Sequence, residues 1–110
     1  MLGAAGIDYG PENVGAPIDS NIRLKCRFHH RSCDDMSWSR VEQGGSVSVI
    51  YAYNKMYQSY GNRYHVNISL DRECNLYINK VQFSDAGTFT CASHQLKHTA
   101  TVTVVGMFAM

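Results

Sequence analysis

Short stretches in which apolar and polar residues alternate recur along the chain, and this period of two is typical of β-strands that bury one face. In Ile22-Arg23-Leu24-Lys25-Cys26-Arg27-Phe28 every second side chain is apolar, and Thr88–Ser93 repeats the pattern with Phe89 and Cys91 on one face. Turn-forming residues separate these runs, and no segment of useful length shows helical periodicity. The sequence therefore predicts an all-β protein.

The alternating runs divide the chain into an irregular first strand and eight regular ones. Pro11 and Pro17 interrupt the first strand, as an edge strand tolerates. The others are predicted at residues 21–28, 36–41, 46–53, within 54–61, 63–70, 74–80, 88–93 and 98–105, with a turn at Gln95-Leu96-Lys97. A chain of 110 residues has room for one two-layer core. We therefore expect a single domain over 1–110, with its core at about 14–105. Residues 1–13 are an N-terminal segment with the first strand, and 106–110 are a tail.

Composition narrows the classes of partner. The net charge is +1 and the lysines and arginines are scattered, which is not typical of nucleic-acid binding or of a polybasic membrane contact. No run is long and apolar enough to span a membrane, so we expect a membrane link only through flanking segments absent from this sequence. Residues 1–6 lack the features of a signal peptide, which indicates a mature fragment.

Cysteine usage indicates the compartment. Four cysteines in so short a chain are typical of an oxidising environment. Asn67-Ile68-Ser69 is an N-glycosylation acceptor triplet, which agrees with a secretory route. We therefore expect an extracellular protein, at the cell surface or secreted, with a glycan at Asn67.

The most specific motif surrounds the last cysteine. Asp85-Ala86-Gly87-Thr88-Phe89-Thr90-Cys91 matches the pattern Asp-x-Gly-x-(Tyr/Phe)-x-Cys, and Cys26 and Trp38 precede it in the order Cys…Trp…Cys. With these residues the chain resembles, from about Val14 to Val105, the immunoglobulin V-set domains of cell-surface receptors. The resemblance implies a V-type β-sandwich with Greek-key connections, in which two antiparallel sheets contain strands A-B-E-D and G-F-C-C′-C″.

The resemblance also implies the core of the sandwich. Cys26 and Cys91 are expected to form the disulfide between the sheets, with Trp38 packed beside it. Four cysteines allow three connectivities, and the one that keeps this core bridge joins Cys33 to Cys74. Both of these cysteines lie at the same end of a V-type sandwich, so we favour that second bridge.

Four further features refine the resemblance. In V-set relatives an arginine that opens strand D pairs with the corner aspartate, and Arg63 and Asp85 occupy these positions. Phe89 stands where the family usually has tyrosine and has no hydroxyl for the corner hydrogen bond. Strand G lacks the Phe-Gly-x-Gly bulge of antigen receptors, which disfavours that class. Strand F lacks the arginine of V-set sialic-acid lectins, which disfavours a lectin.

The loop residues give little indication of metal binding or catalysis. His29, His30 and Cys33 suggest zinc, but adjacent histidines in an extended loop point apart and Cys33 has an expected disulfide partner. Asp34 and Asp35 suggest calcium, but they lack a loop with ligand spacing and are typical of a solvated tip. No nucleophile–base pair or phosphate-binding glycine loop is present. We expect no catalytic residue, no metal and no cofactor.

A binding face is predicted from the alternation. With Trp38, Phe89 and Cys91 inward, the outward side chains of the G-F-C-C′-C″ sheet form a flat centre with tyrosines beside it. Tyrosine is enriched at recognition surfaces, although β-sheets favour it in any case. Which side chains of C′ face outward depends on its register, because a bulge would exchange the side of Ile50 with that of its neighbours. The predicted partner-binding residues are Ser39, Val41, Val49, Tyr51, Tyr53, Tyr57, Thr90, Ala92, His94 and Leu96.

These features lead to a functional hypothesis. The chain is interpreted as the ectodomain of an immune-type receptor that recognises another protein, an immunoglobulin-superfamily domain or itself, through the G-F-C-C′ face. Homophilic adhesion and a primitive antigen-receptor-like variable domain that forms dimers are the alternatives. His94 and His98 lie near the face and suggest acid sensitivity of binding.

Overall fold

The structure is a computed structural model that describes residues 9–29, 32–42, 44–57, 63–68 and 73–106. Several predictions fall on residues outside these ranges. They concern the first six residues and the tail beyond 106, His30 as a zinc ligand, and Ser69 of the acceptor triplet.

The described residues form nine strands in two sheets, and they contain no α-helix. The larger sheet has the order β1-β9-β8-β3-β4-β5, and the smaller has the order β2-β7-β6. This arrangement confirms the predicted all-β, V-type sandwich. The strands are β1 (Val14–Pro17), β2 (Ile22–Leu24), β3 (Ser37–Val41), β4 (Val47–Ala52), β5 (Lys55–Met56), β6 (Tyr64–Ile68), β7 (Cys74–Ile78), β8 (Gly87–Ser93) and β9 (Leu96–Val105).

The first strand differs from its predicted place. We expected it beside strand B in an A-B-E-D sheet, whereas β1 lies in the larger sheet and pairs in parallel with β9, from Val14 opposite Val102 to Pro17 opposite Val105. A single bridge between Tyr9 and Arg27 joins the preceding segment to the smaller sheet. Residues 9–17 therefore cross from one sheet to the other, and each end of this stretch pairs with an edge that would otherwise expose unpaired amides.

The core lies between the sheets and contains the side chains that alternation directs inward. Cys26 and Cys91 are disulfide-bonded with a Cα–Cα distance of 6.5 Å, and both are fully buried beside Trp38. The indole nitrogen of Trp38 donates a hydrogen bond of 2.8 Å to the carbonyl oxygen of Cys74. Cys74 is in turn bonded to Cys33, with a Cα–Cα distance of 5.7 Å. Trp38 therefore lies beside the first disulfide and is hydrogen-bonded to the backbone of the second.

The prediction that Tyr51 faces a partner is wrong. Trp38 lies opposite Tyr51 but Ser39 lies opposite Val49, so Ile50 is an extra residue in a β-bulge. The bulge changes the alternation of β4, and both Ile50 and Tyr51 are buried in the core, where Tyr51 is 4% exposed. The hydroxyl of Tyr51 donates to the carbonyl oxygen of Cys33 at 3.2 Å, so it holds the loop that carries the second disulfide.

A buried ionic group holds the corner that precedes β8. The carboxylate of Asp85 is 1% exposed and accepts hydrogen bonds from Arg63 at 2.6 and 3.1 Å and from the hydroxyl of Tyr64 at 2.7 Å. The amide of Gln82 donates to it at 2.8 Å. Four donors therefore satisfy a charge that would be costly to bury without partners.

Arg40 completes this corner from β3, and sequence reasoning missed it. Its Nη2 atom donates to the carbonyl oxygens of Ser84 at 2.8 Å and Ala86 at 3.0 Å, and its guanidinium lies 5.4 Å from the ring centre of Phe89. The side chain is buried although it is charged. Alternation from Trp38 does direct Arg40 inward, but an arginine is more often solvent-exposed.

Gly87 allows β3 and the corner to approach closely. It has a φ of +155°, and a Cβ atom at this position would lie 3.0 Å from the carbonyl oxygen of Val41. A residue with a side chain would therefore push the corner away from β3.

Candidate functional site

The outward side of the larger sheet presents a regular array of small and apolar side chains. The registers of β3 with β4, β3 with β8, and β8 with β9 align these side chains in three cross-strand rows. We call this array the outer face. Its rows, read from β4 to β9, are Ala52-Ser37-Ala92-Lys97, Val49-Ser39-Thr90-Thr99 and Val47-Val41-Thr88-Thr101.

The two halves of the outer face differ in chemistry. On β3 and β4 it exposes three valines, Val41, Val47 and Val49, of which Val47 is 63% exposed. On β8 and β9 it exposes mainly hydroxyl groups, and those of Thr90 and Thr99 lie 3.1 Å apart, within hydrogen-bonding distance. The face therefore combines an apolar strip with a strip of threonine hydroxyls, and Lys97 is the one charged residue in its rows.

Two tight hairpins border the upper end of the outer face, where β3 begins. Ala52 pairs with Lys55, so Tyr53 and Asn54 alone form the loop between β4 and β5. Ser93 pairs with Leu96, so His94 and Gln95 alone form the loop between β8 and β9. The turn predicted near Gln95-Leu96-Lys97 therefore lies at His94-Gln95, and β9 begins two residues earlier than expected. A two-residue loop is the shortest common hairpin connection.

The structure leaves most of the predicted partner-binding residues accessible on or beside the outer face. Val41, Val49, Tyr53, Tyr57, His94 and Leu96 are exposed, and Ser39, Thr90 and Ala92 are partly exposed within the rows. Tyr51 is excluded because it is in the core. Tyr57 follows β5, and the amino group of Lys55 lies 5.3 Å from its ring centre.

Sequence reasoning missed seven members of the rows, which are Ser37, Val47, Ala52, Thr88, Lys97, Thr99 and Thr101. Thr88, Thr99 and Thr101 continue the alternation of β8 and β9, so the pattern alone was enough to find them. Val47 lies two residues before Val49, and Ser37 two residues before Ser39, so alternation was enough to find these two as well. Ala52 was concealed by the bulge, which is not visible in the sequence, and Lys97 by the turn predicted there.

The immediate surroundings of Tyr51, beside the bulge, and of Asp85, in the corner before β8, shift the pKa values of both side chains. Burial raises the pKa of the Tyr51 hydroxyl, and the nearby carboxylate of Asp34 raises it further. Burial alone would raise the pKa of Asp85, but the hydrogen bonds from Arg63, Tyr64 and Gln82 outweigh it and the net pKa is lowered. Neither group lies on the outer face, so both shifts belong to the stability of the fold.

The described residues among the suggested metal ligands are His29, Cys33, Asp34 and Asp35. Among the described residues, no group of three or more histidine, cysteine or acidic side chains is placed to hold a metal ion. Cys33 is in the disulfide with Cys74. Asp34 and Asp35 are exposed on a short 3-10 turn at Cys33–Asp35.

The comparisons with known proteins agree with this geometry. The model of the immunoglobulin V-set domain matches residues 9–105, so the chain belongs to the immunoglobulin V-set family. Domains of this family are generally non-enzymatic binding domains and are typically extracellular. None of the described residues belongs to a helix with the length and apolar character that a membrane span requires.

One solved structure that resembles this chain is the crystal structure of the RIG-5 IG1 homodimer. The TM-score is 0.71 at 18% sequence identity, and the match covers 87% of this chain and 92% of that chain. At this identity the likeness shows the fold alone. No curated protein sequence matches the chain.

Proposed function

We propose that this chain is the protein-binding ectodomain of an immune-type cell-surface receptor, and that it recognises a partner through the outer face. The observation that carries the proposal is the exposed strip of Val41, Val47 and Val49 beside the hydroxyls of β8 and β9. Exposed apolar side chains that lie together, and not singly, are typical of interaction sites. Lys97 is the one charged residue in the three rows.

The size of the outer face supports a protein partner. Four strands at a spacing of about 4.8 Å and three rows at about 7 Å give a flat area of roughly 400 Å². A standard protein interface buries about 800 Å² on each partner, so the adjoining hairpins at Tyr53 and His94 would contribute the remainder. A flat face of this extent suits another β-sheet surface better than a small molecule, which favours an immunoglobulin-superfamily partner.

Asn67 supports the same arrangement. It is exposed on β6, at the edge of the smaller sheet. A glycan attached there would leave the outer face free for association. Expression in a secretory host should give a protein whose mass falls on treatment with an N-glycosidase, and Asn67→Gln should abolish that change. An unmodified wild-type protein would contradict this assignment.

Self-association is a second candidate. It is favoured by the valine strip, and the similar RIG-5 domain was crystallised as a homodimer. Sedimentation of the isolated domain over a wide range of concentrations tests it. Concentration-dependent dimers would support self-association, whereas a strict monomer at the highest soluble concentration would leave heterophilic recognition as the proposal.

A matched pair of variants tests the outer face in either case. Val47→Lys adds a charge to the valine strip, and Ile68→Lys adds the same charge at an exposed β-branched residue of the smaller sheet. Binding to a panel of immunoglobulin-superfamily ectodomains, or dimerisation, should be lost in Val47→Lys and retained in Ile68→Lys. The opposite result would place the interface on the smaller sheet and contradict the proposal.

A further inference from the structure

A depression of about 130 Å³ opens at the upper end of the outer face. Its lining includes Ser37 and Ala92, two residues with small side chains that lie opposite each other on β3 and β8. Tyr53 and His94, from the two hairpin loops, line it as well. Asp35 and Met36 complete the lining. Residues from three separate parts of the chain therefore converge on this one concavity.

The two aromatic residues have an unusual backbone. Tyr53 has a φ of +51° and His94 has a φ of +56°, both in the left-handed region. Glycine or asparagine is the usual residue at such positions, and a bulky side chain there is uncommon. Strained residues of this kind cluster at binding sites. The two described hairpins at this end each place such an aromatic residue at the same depression.

The volume and chemistry of the depression limit what it can receive. It is well below the roughly 300 Å³ or more of pockets that hold small-molecule ligands, so it fits the end of one side chain. Asp35 is the one acidic residue in the lining, and Tyr53 is 72% exposed, so its ring is open to stacking. An arginine guanidinium combines these needs, because it is planar, stacks on aromatic faces and pairs with carboxylates through two hydrogen bonds.

We propose that this depression is an anchor site for an arginine side chain presented by the protein partner. The inference rests on the proposed function, since it names the group that the upper end of the outer face receives. Lys97 lies in the same cross-strand row as Ser37 and Ala92 but is not part of the lining. Asp35 therefore determines the sign of the charge that the depression accepts.

Titration with short peptides, followed by NMR of backbone amides, tests the site without knowledge of the partner. The probes are N-acetylated, C-amidated tripeptides of glycine–X–glycine, in which X is arginine, its neutral isostere citrulline, or glutamate. Arginine should shift the amides of Ser37, Tyr53, Ala92 and His94. Citrulline should bind about tenfold more weakly, because it loses both the ion pair and the cation–π contact.

A pair of adjacent carboxylates provides the matched control. Asp35→Asn should weaken arginine binding about threefold, as expected for an exposed ion pair, while Asp34→Asn should leave it unchanged because Asp34 is not part of the lining. Equal binding of arginine and citrulline, tighter binding of the glutamate probe, or equal effects of the two variants would overturn the proposal. If the arginine probe fails these tests while Val47→Lys still abolishes partner binding or dimerisation, the arginine site is rejected. The outer face then remains the proposed interface.

Discussion

Removal of one hydroxyl group tests how the corner before β8 is held. In Tyr64→Phe the ring remains, so its contact with Phe89, with ring centres 6.4 Å apart, is preserved. The hydrogen bond of 2.7 Å from Tyr64 to Asp85 is lost. The same oxygen also accepts a hydrogen bond of 3.3 Å from Nη1 of Arg40, which would lose this acceptor in a buried place.

The magnitude follows from these two losses. A hydrogen bond to a charged group contributes about 1.5–3 kcal/mol to stability, and a buried donor left without an acceptor costs about 1–3 kcal/mol. Because the bond from Arg40 is long, we count only the lower part of the second range. The free energy of unfolding should therefore fall by about 2–4 kcal/mol, a large share of the roughly 5–15 kcal/mol of a typical domain.

Urea denaturation followed by the fluorescence of Trp38 measures this change. With a dependence on urea of about 2 kcal/mol per molar, the middle of the usual range, the midpoint should fall by about 1–2 M. Tyr77→Phe is the matched control, because Tyr77 lies on the outer side of the smaller sheet, where its ring stacks on His65. It should change stability by less than about 0.5 kcal/mol. A loss below about 1 kcal/mol in Tyr64→Phe, or equal losses in both variants, would refute the argument.

Three further predictions concern stability. Because the net pKa of Asp85 is lowered by folding, its contribution is present above the ordinary carboxyl pKa of about 3.9 and is lost as the pH falls through the lower folded value. The urea midpoint should fall over that range, and a flat profile would argue against the charged corner. Joint replacement of Cys33 and Cys74 by alanine opens a loop with a sequence separation of 41. It should cost about 3–4 kcal/mol in the chain-entropy model, and an unchanged midpoint of thermal unfolding would contradict this value. Tyr53→Asn should raise stability by about 1 kcal/mol, because asparagine tolerates the left-handed backbone better, and it should weaken binding of the arginine probe. A less stable Tyr53→Asn would show that the tyrosine ring contributes packing that outweighs its strain.

Most of the fold could be predicted because the relevant signals are local. The alternation around Cys26 and Cys91 and the position of Trp38 predict which side chains face inward, since successive residues of a strand point to opposite faces. The structure buries all three. The same local rule directs Arg40 inward, and only the expectation that arginines are exposed concealed its place in the corner.

The candidate site was predictable only in part, because it depends on how strands pair. The bulge at Ile50 is defined by the register between β3 and β4, and it moves Tyr51 into the core and brings Ala52 into line with Ser37 on the outer face. The place of β1 beside β9 likewise depends on which sheet edge is free. Neither choice is recorded in the pattern of one strand, because both are made between segments that are distant in sequence.

The sequence by itself determined the all-β class, because a period of two is enough to specify strands. The order Cys…Trp…Cys, through its resemblance to the V-set family, implied the two-layer sandwich and its cysteine–tryptophan centre. The tertiary structure alone decided the composition of the outer face, the crossing of the first strand and the depression between Tyr53 and His94. These features arise where register, bulges and hairpin loops bring remote residues together, and one strand cannot specify its position relative to another.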